Sequence, residues 1–489
     1  MSSSAGLARP FRPSPPGALP AEGFRVRNRT KAEGGGLHFF FPTLPAAEKT
    51  LKLRGILAIL VAVVLVTLAI FYFQDTDAPQ LSLSPKPGPI SAKTAIQLTV
   101  HDAGAGLKSV EVRAVQGETT FPLASQAFAG EKTPQKLEFA LDKKGLKDGP
   151  VELRVVASDG SAYHFGAGNR AEQSFTFDLD RRAPVISVVS NAHNFTQGGS
   201  GLVVYTLNEE VEKTGVTVGE LFFPGHRQES GRYVSLFAFP HNMKQGEFLP
   251  KVVAVDRAGN ERRAGFYYHT NRKTFRQRQI NISDNFLETK TPEFEELAPD
   301  LQEPLEIFLK VNRDLRVQNR AALAGFAART APRPLWDGPF LRQPNAATLA
   351  LFGDNRAYLH KGKKVDRQTH LGIDLASTAQ AQVPAANGGN VVFADYLGIY
   401  GLCVIIDHGL GLQTLYGHLS SVEVNEGDAV TRGQTLGRTG ATGMAGGDHL
   451  HYGVILAGLP VSPVEWWDGS WLNNNITGKL ELAAETDAN

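Results

Sequence analysis

Residues 55–73, GILAILVAVVLVTLAIFYF, form an apolar run broken only by Thr67. As an α-helix rising ~1.5 Å per residue, such a run covers nearly the ~30 Å hydrocarbon core of a bilayer, which predicts a transmembrane helix over 55–74. A cleavable signal has a shorter apolar region near its start, followed by a small-residue cleavage site. Here 54 residues precede the run and YFQDTDAP follows it, so the expectation is an uncleaved anchor. Lys49, Lys52 and Arg54 flank one side, Asp75 and Asp77 the other. The positive-inside rule then places residues 1–54 in the cytoplasm and everything after residue 74 outside. The tail 1–54 is rich in Pro, Gly, Ser and Arg without an apolar period and is expected to be disordered, with LHFFFP at 37–42 as its one aromatic cluster.

The 489 residues carry a formal net charge of +1, so neither a nucleic-acid partner nor a largely disordered chain is expected. The single cysteine, Cys403, excludes an internal disulfide framework and a cysteine-cluster metal site. In GLCVIIDHG it reads as a small buried apolar residue.

Beyond the anchor the sequence repeats. DTDAPQLSLS begins at Asp75 and DRRAPVISVV at Asp180, while VVASDG begins at Val155 and VVAVDRAGN at Val252. Short alternating runs such as AIQLTV, VELRVVA and GLVVYTL are separated by Gly, Asp, Asn and Lys turns, the pattern of antiparallel sandwiches. The Asp-Ala-Pro starts and Asp-x-Ala-Gly-Asn end resemble bacterial immunoglobulin-like repeats, which predicts two such domains over 75–180 and 181–270. Residues 271–340 read as a partly helical connector, with Leu301, Leu305, Phe308 and Leu315 on a helical period. It is expected either to pack on the next domain or also to cover the active site.

From 341 to 475 short strands return, punctuated by glycine, before a C-terminal tail over 476–489. In THLGIDLA, His370 and Asp374 are four apart; a fully extended strand would hold their backbones roughly 13 Å apart, so the chain must bend, and Gly372 permits the bend. In GGDHLHYGV, His449 and His451 share a strand face about 6.7 Å apart. TLYGHL between them contributes His418. Taken singly each histidine reads as structural; together in one strand-rich domain they read as a site.

H-x-G-x-D, Y-G-H-L and H-L-H-Y in this order resemble the lysostaphin- or LytM-type zinc endopeptidases, metallopeptidase family 23, over about residues 341–468. The resemblance implies a mainly β fold for this domain, an antiparallel sheet with a groove. It implies Zn2+ held by His370, Asp374 and His451, with His418 and His449 as catalytic residues beside a metal-bound water. It further implies a substrate: peptide cross-links or stem peptides of bacterial peptidoglycan. Asp448 and Gly453 depart from the family's frequent proline and glutamate, neither of them a ligand position. Three N/O ligands leave a fourth tetrahedral position open, as a catalytic zinc site requires. The alternative is a catalytically silent envelope protein that activates a separate wall hydrolase, and the full ligand set argues against it. VEVNEGDAVTRGQTLGRTG also resembles biotinyl- or lipoyl-carrier half-barrels but lacks their modified lysine. The expected protein is mainly β and multidomain, anchored in the inner membrane by a single pass. Its zinc peptidase domain faces the periplasm, where envelope proteins are possible partners.

Overall fold

The structure, a computed structural model, describes residues 46–485, with side chains from Leu53 onward. The tail read over 1–54, with its aromatic cluster at 37–42, lies outside the described residues up to position 45. A helix then runs from Ala46 to Tyr72, starting nine residues before the apolar run, so that the chain positions of Lys49, Lys52 and Arg54 are helical. Its segment Leu53–Tyr72 is long and apolar enough to cross a membrane.

The remainder is mainly β. In the first module a three-stranded sheet (Gln80–Ser84, Ile96–His101, Gln135–Phe139) faces a five-stranded one centred on Gly149–Asp159 and Leu107–Gln116. Alternation along Ile96–His101 sends Ile96, Leu98 and Val100 inward against Val110, Val112 and Val155, and this core is self-contained. The second module pairs two four-stranded sheets, one centred on Ser200–Leu207 and Tyr233–Ala238, the other on Lys213–Val218 and Lys251–Val255. The sequence repeat has a physical basis. Asp159 accepts from Asn169 N–H (2.7 Å) and its side-chain amide (2.8 Å), and that amide also donates to the carbonyl of Asp75. In the second module Asp256, Asn260 and the carbonyl of Asp180 make the same clamp. Each clamp ties the start of a module to its far end.

The second module is not a separate bead. Phe195, Phe237 and Phe248 belong to one continuous core with Trp336, Phe340, Trp466, Leu472 and Ile476. Residues expected as a tail form a helix, Gly478–Ala484, which docks on this module: Ser230 Oγ donates to the carbonyl of Ala483 (2.5 Å) and Arg232 donates to that of Leu482. Apolar alternation reports which residues are buried and not against which neighbour, so the sharing was invisible in sequence.

Glu465 closes the same junction by accepting from Ser200 N–H at 2.9 Å, and burial pushes its carboxyl up to about 7. A folded-state value raised above the unfolded ~4.3 means that stability from this group is fully present below about pH 4 and is lost as pH rises through about 7. Glu465→Gln keeps an oxygen acceptor for Ser200 and is expected to flatten the pH dependence of the melting temperature between pH 5 and 8, raising it at the alkaline end. Parallel melting curves for the variant and wild type would contradict this.

The connector is more than a helix. Gln277–Ile282 forms a strand parallel to Asn355–His360, which pairs with Lys363–Thr369. The segment after it breaks into Asp284–Lys290, a 3-10 turn Thr291–Leu297, Pro304–Lys310, a π turn Val311–Leu315 and Arg316–Ala327. Ile307, Val311 and Leu323 pack on Cys403, Ile405 and Leu415 of the central sheet. Cys403 is fully buried there, and burial pushes its thiol up. That sheet runs Ala347–Ala350, Ile373–Ala376, Leu450–Leu456, Leu412–Val422, Leu402–Asp407, Gly389–Tyr396 and Ala429–Val430 in spatial order.

Candidate metal centre and active site

Register brings the site together. Asp374 lies directly opposite His451 across an antiparallel pair, and Gly417 opposes His451 on the other side. The strand Leu412–Val422 pairs with Leu450–Leu456 up to Gly417 and with Thr435–Thr439 from Leu419. His418 sits at that switch with φ 63°, a left-handed conformation that costs a non-glycine residue about 1–3 kcal/mol and clusters at functional sites. The twist turns its side chain toward His449 and His451, with ring centroids 4.9 and 5.8 Å away.

His370 Nε2, Asp374 Oδ1 and His451 Nδ1 lie 2.9, 2.9 and 3.1 Å from one another, all three residues buried. His370 Nδ1 lies 3.1 Å from the carbonyl of Leu351, which turns Nε2 toward a carboxylate oxygen and a second imidazole. Three potential ligand atoms converging this closely form a site that can hold a cation, and the spacings approach the ~3.3 Å edge of a tetrahedron with bonds of ~2.0 Å. The donor set therefore fits zinc. Gly372 has a use beyond the bend: a Cβ there would lie 2.5 Å from the His451 ring, so glycine makes room for a ligand's imidazole.

Burial pushes the Asp374 carboxyl up, but His370, His449 and His451 hold it well below the usual carboxylate range. Burial lowers His451 to about 4 and takes His418 well below an ordinary imidazole, helped by the two neighbouring histidines. For His449 burial also lowers, yet Asp374, 3.6 Å from its Nε2, prevails and raises it. His418 Nδ1 donates to the carbonyl of Thr442 and His449 Nδ1 to that of Gly447, each at 2.8 Å, so both rings present Nε2 to the cleft. Asp448 accepts from Gln380 N–H (3.0 Å) and fixes the loop before His449.

All five residues singled out in the sequence line one cleft of about 300 Å³. Three other contributors were not foreseen. Arg356 donates to Asp374 Oδ2 at 2.8 Å, Tyr400 lays its ring 5.4 Å from that of His451, and Arg316 enters from the connector. No spacing links them to the histidine motifs. The connector also supplies Ile282, Phe286 and Phe308 to the wall.

A buried His-Asp-His triad with two further histidines at the mouth of an antiparallel sheet defines a single-metal centre of the hydrolytic type. Residues 368–463 match the model of Peptidase family M23, so the C-terminal domain is an M23 peptidase domain. The same region is 42% identical over 95 residues to the DD-carboxypeptidase/endopeptidase Mpg of Neisseria meningitidis serogroup B, covering 19% of this chain and 22% of that protein. It is 38% identical over 96 residues to the peptidoglycan DD-endopeptidase ShyA of Vibrio cholerae, covering 20% and 22%. The chain thus spans about a fifth of the length of the curated relatives it matches. Among solved structures, a putative peptidase M23 from Pseudomonas aeruginosa overlays with 23% identity and a TM-score of 0.35, over 56% of this chain and 95% of that one.

Proposed function

We propose that this protein is a zinc endopeptidase of the cell envelope that hydrolyses amides in the peptide cross-links or stem peptides of peptidoglycan. The observation that carries the reading is the convergence of His370, Asp374 and His451 within 2.9–3.1 Å in a domain matching peptidase family M23. In this reading those three hold the metal, and His418 and His449 are the catalytic pair. When bound, zinc supplies a Lewis acid for the scissile carbonyl and makes water nucleophilic near neutral pH. The chain's own groups do the rest. The Leu351 carbonyl fixes the His370 ring, and Arg356 holds the second oxygen of Asp374, so both ligands are oriented before substrate arrives. His418 and His449, each tied through Nδ1 to a backbone carbonyl, present Nε2 to the reacting atoms as the pair that takes the water's proton and stabilises the oxygen on which negative charge develops. The apolar wall from the connector excludes water from the amide.

The names of Mpg and ShyA point to DD-type bonds as the class of amide. The deciding experiment digests purified sacculi with the zinc-loaded protein and identifies the fragments by mass spectrometry. Loss of cross-linked dimers with a matching gain of monomers is expected; an unchanged fragment pattern would overturn the hydrolase reading and favour a binding or activating role.

In the same reading the helix Leu53–Tyr72 is an uncleaved inner-membrane anchor, and the two sandwiches are immunoglobulin-like modules that hold the peptidase domain out toward the wall. The cation excess before residue 55 and the aspartates at 75 and 77 support that orientation. A reporter active only outside the cytoplasm is expected to work when fused after residue 80 and to fail when fused before residue 50. The reverse pattern would defeat it.

A further inference from the structure

The cleft has a charge imbalance that the hydrolytic machinery does not use. Among the described residues Asp374 is the sole carboxylate lining it, and both its oxygens are committed, Oδ1 among the histidines and Oδ2 to Arg356. Arg356 is thereby matched. Arg316 is not: at the start of the helix Arg316–Ala327 it lines the same cleft, half-buried, and its Nε donates to the neutral Oδ1 of Asn312 at 2.8 Å. Among the described residues no carboxylate pairs with it, and its two Nη nitrogens make no hydrogen bond. Two other connector arginines at the edge of this region are matched by carboxylates. Arg313 reaches Asp366 (3.2 Å), and Arg276 makes two bonds to Asp354 (2.8 and 2.7 Å). A guanidinium that lines the same cleft as Phe308, Ile399 and Tyr400 with its Nη fork open can receive a planar anion through two parallel N–H bonds.

We propose that Arg316 is a specificity-determining residue that binds a free carboxylate of the substrate flanking the scissile amide. This rests on the endopeptidase reading and narrows it. A cross-link from D-alanine to the distal amine of a diamino-dicarboxylic acid carries such a carboxylate on the carbon next to the amide nitrogen, whereas a cross-link to the side-chain amine of lysine does not. The interior of a glycine bridge carries none. The cleft is therefore matched to directly linked, carboxylate-bearing peptides over neutral bridges. Because Arg316 belongs to the connector, the segment before the peptidase domain supplies selectivity as well as a wall.

The test uses the full-length, detergent-solubilised, zinc-loaded protein and two synthetic cross-linked peptides differing only in whether the carboxylate beside the scissile amide is free or amidated. Wild type is expected to prefer the free acid roughly tenfold or more in kcat/KM, chiefly through KM, as a charge-assisted bidentate contact implies. In Arg316→Met that ratio is expected to fall toward one, with Arg316→Lys intermediate, while zinc content and melting temperature match wild type. Equal rates on both peptides by wild type, or a ratio that survives in Arg316→Met and in Arg316→Gln, would overturn the inference. Binding of a non-hydrolysable analogue pair, measured by calorimetry, separates it from the parent reading. Carboxylate-dependent binding that disappears in Arg316→Met without turnover by wild type would sustain the subsite and refute the hydrolase, whereas turnover without carboxylate dependence would do the opposite.

Discussion

His370→Ala, Asp374→Ala and His451→Ala are each expected to lose bound zinc and hydrolysis together, whereas His418→Ala and His449→Ala are expected to keep zinc and still lose activity by two or more orders of magnitude. The first three offer the mutually facing atoms His370 Nε2, Asp374 Oδ1 and His451 Nδ1, and removing one from a three-ligand set leaves too few donors to retain the ion at micromolar concentration. The other two present Nε2 to the cleft from rings anchored on backbone carbonyls, so their loss removes proton transfer and oxyanion stabilisation without touching the ligands. Metal analysis of the purified variants alongside their rates checks the division. Zinc retained by the His451 variant and lost by the His449 variant would mean that the roles within H-L-H-Y are reversed. Arg356→Met belongs beside them. It leaves Asp374 Oδ2 buried without its partner and is expected to weaken zinc retention against a chelator while every ligand remains.

The second large effect concerns where the chain tolerates cutting. A form lacking 75–179 is expected to stay folded, zinc-loaded and fully active on dissolved muropeptides, because the first module has its own core and the Asp180 carbonyl used by the second module's clamp is kept. A form starting near residue 271 is expected to aggregate or lose its metal. It strips Phe195, Phe237 and Phe248 from the shared core and takes away the partner of Glu465. A form starting near Gln343 fares worse. It uncovers Cys403, Ile405 and Leu415, deletes the strand Gln277–Ile282, and removes Phe308 from the cleft. At about 1.5–3 kcal/mol for each large side chain returned to water, a handful of such losses exceeds the 5–15 kcal/mol that holds a domain together. Circular dichroism, zinc content and rates on soluble substrate are the measurements. A folded fragment from 343 that outruns the full chain would show the connector to be a removable cover; on the packing described here it is a structural wall.

What could be read from sequence follows from how local the physics is. Metal ligation demands particular residue types at short spacings, so H-x-G-x-D and H-L-H-Y announced a candidate site before any fold was known. The turn-and-alternation pattern likewise announced β-rich modules. Arg316, Arg356 and Tyr400 left no such trace: each reaches the cleft from a segment whose neighbourhood is set by tertiary packing, and an arginine in VNRDLR or NRAYLH looks like any solvated cation. The same limit hid the parallel pairing of Gln277–Ile282 with Asn355–His360, because QRQINI is too short and polar to declare itself a strand. It also hid the helix Gly478–Ala484, whose buried face has meaning only against the second module. His418 is a mixed case, since its residue type was conspicuous while its left-handed backbone was not.

The shared core also bears on the order of events during synthesis. Domains fold as they emerge, amino-terminal first, and the first module can do so as soon as residue 180 is clear. The second module cannot reach its final packing as it emerges, because Glu465, Trp466 and the helix Gly478–Ala484 that cover it lie far beyond its end at residue 270. The cleft inherits the same delay through its connector wall. The packing of the second module is thus completed only once the helix Gly478–Ala484 has been made and has docked.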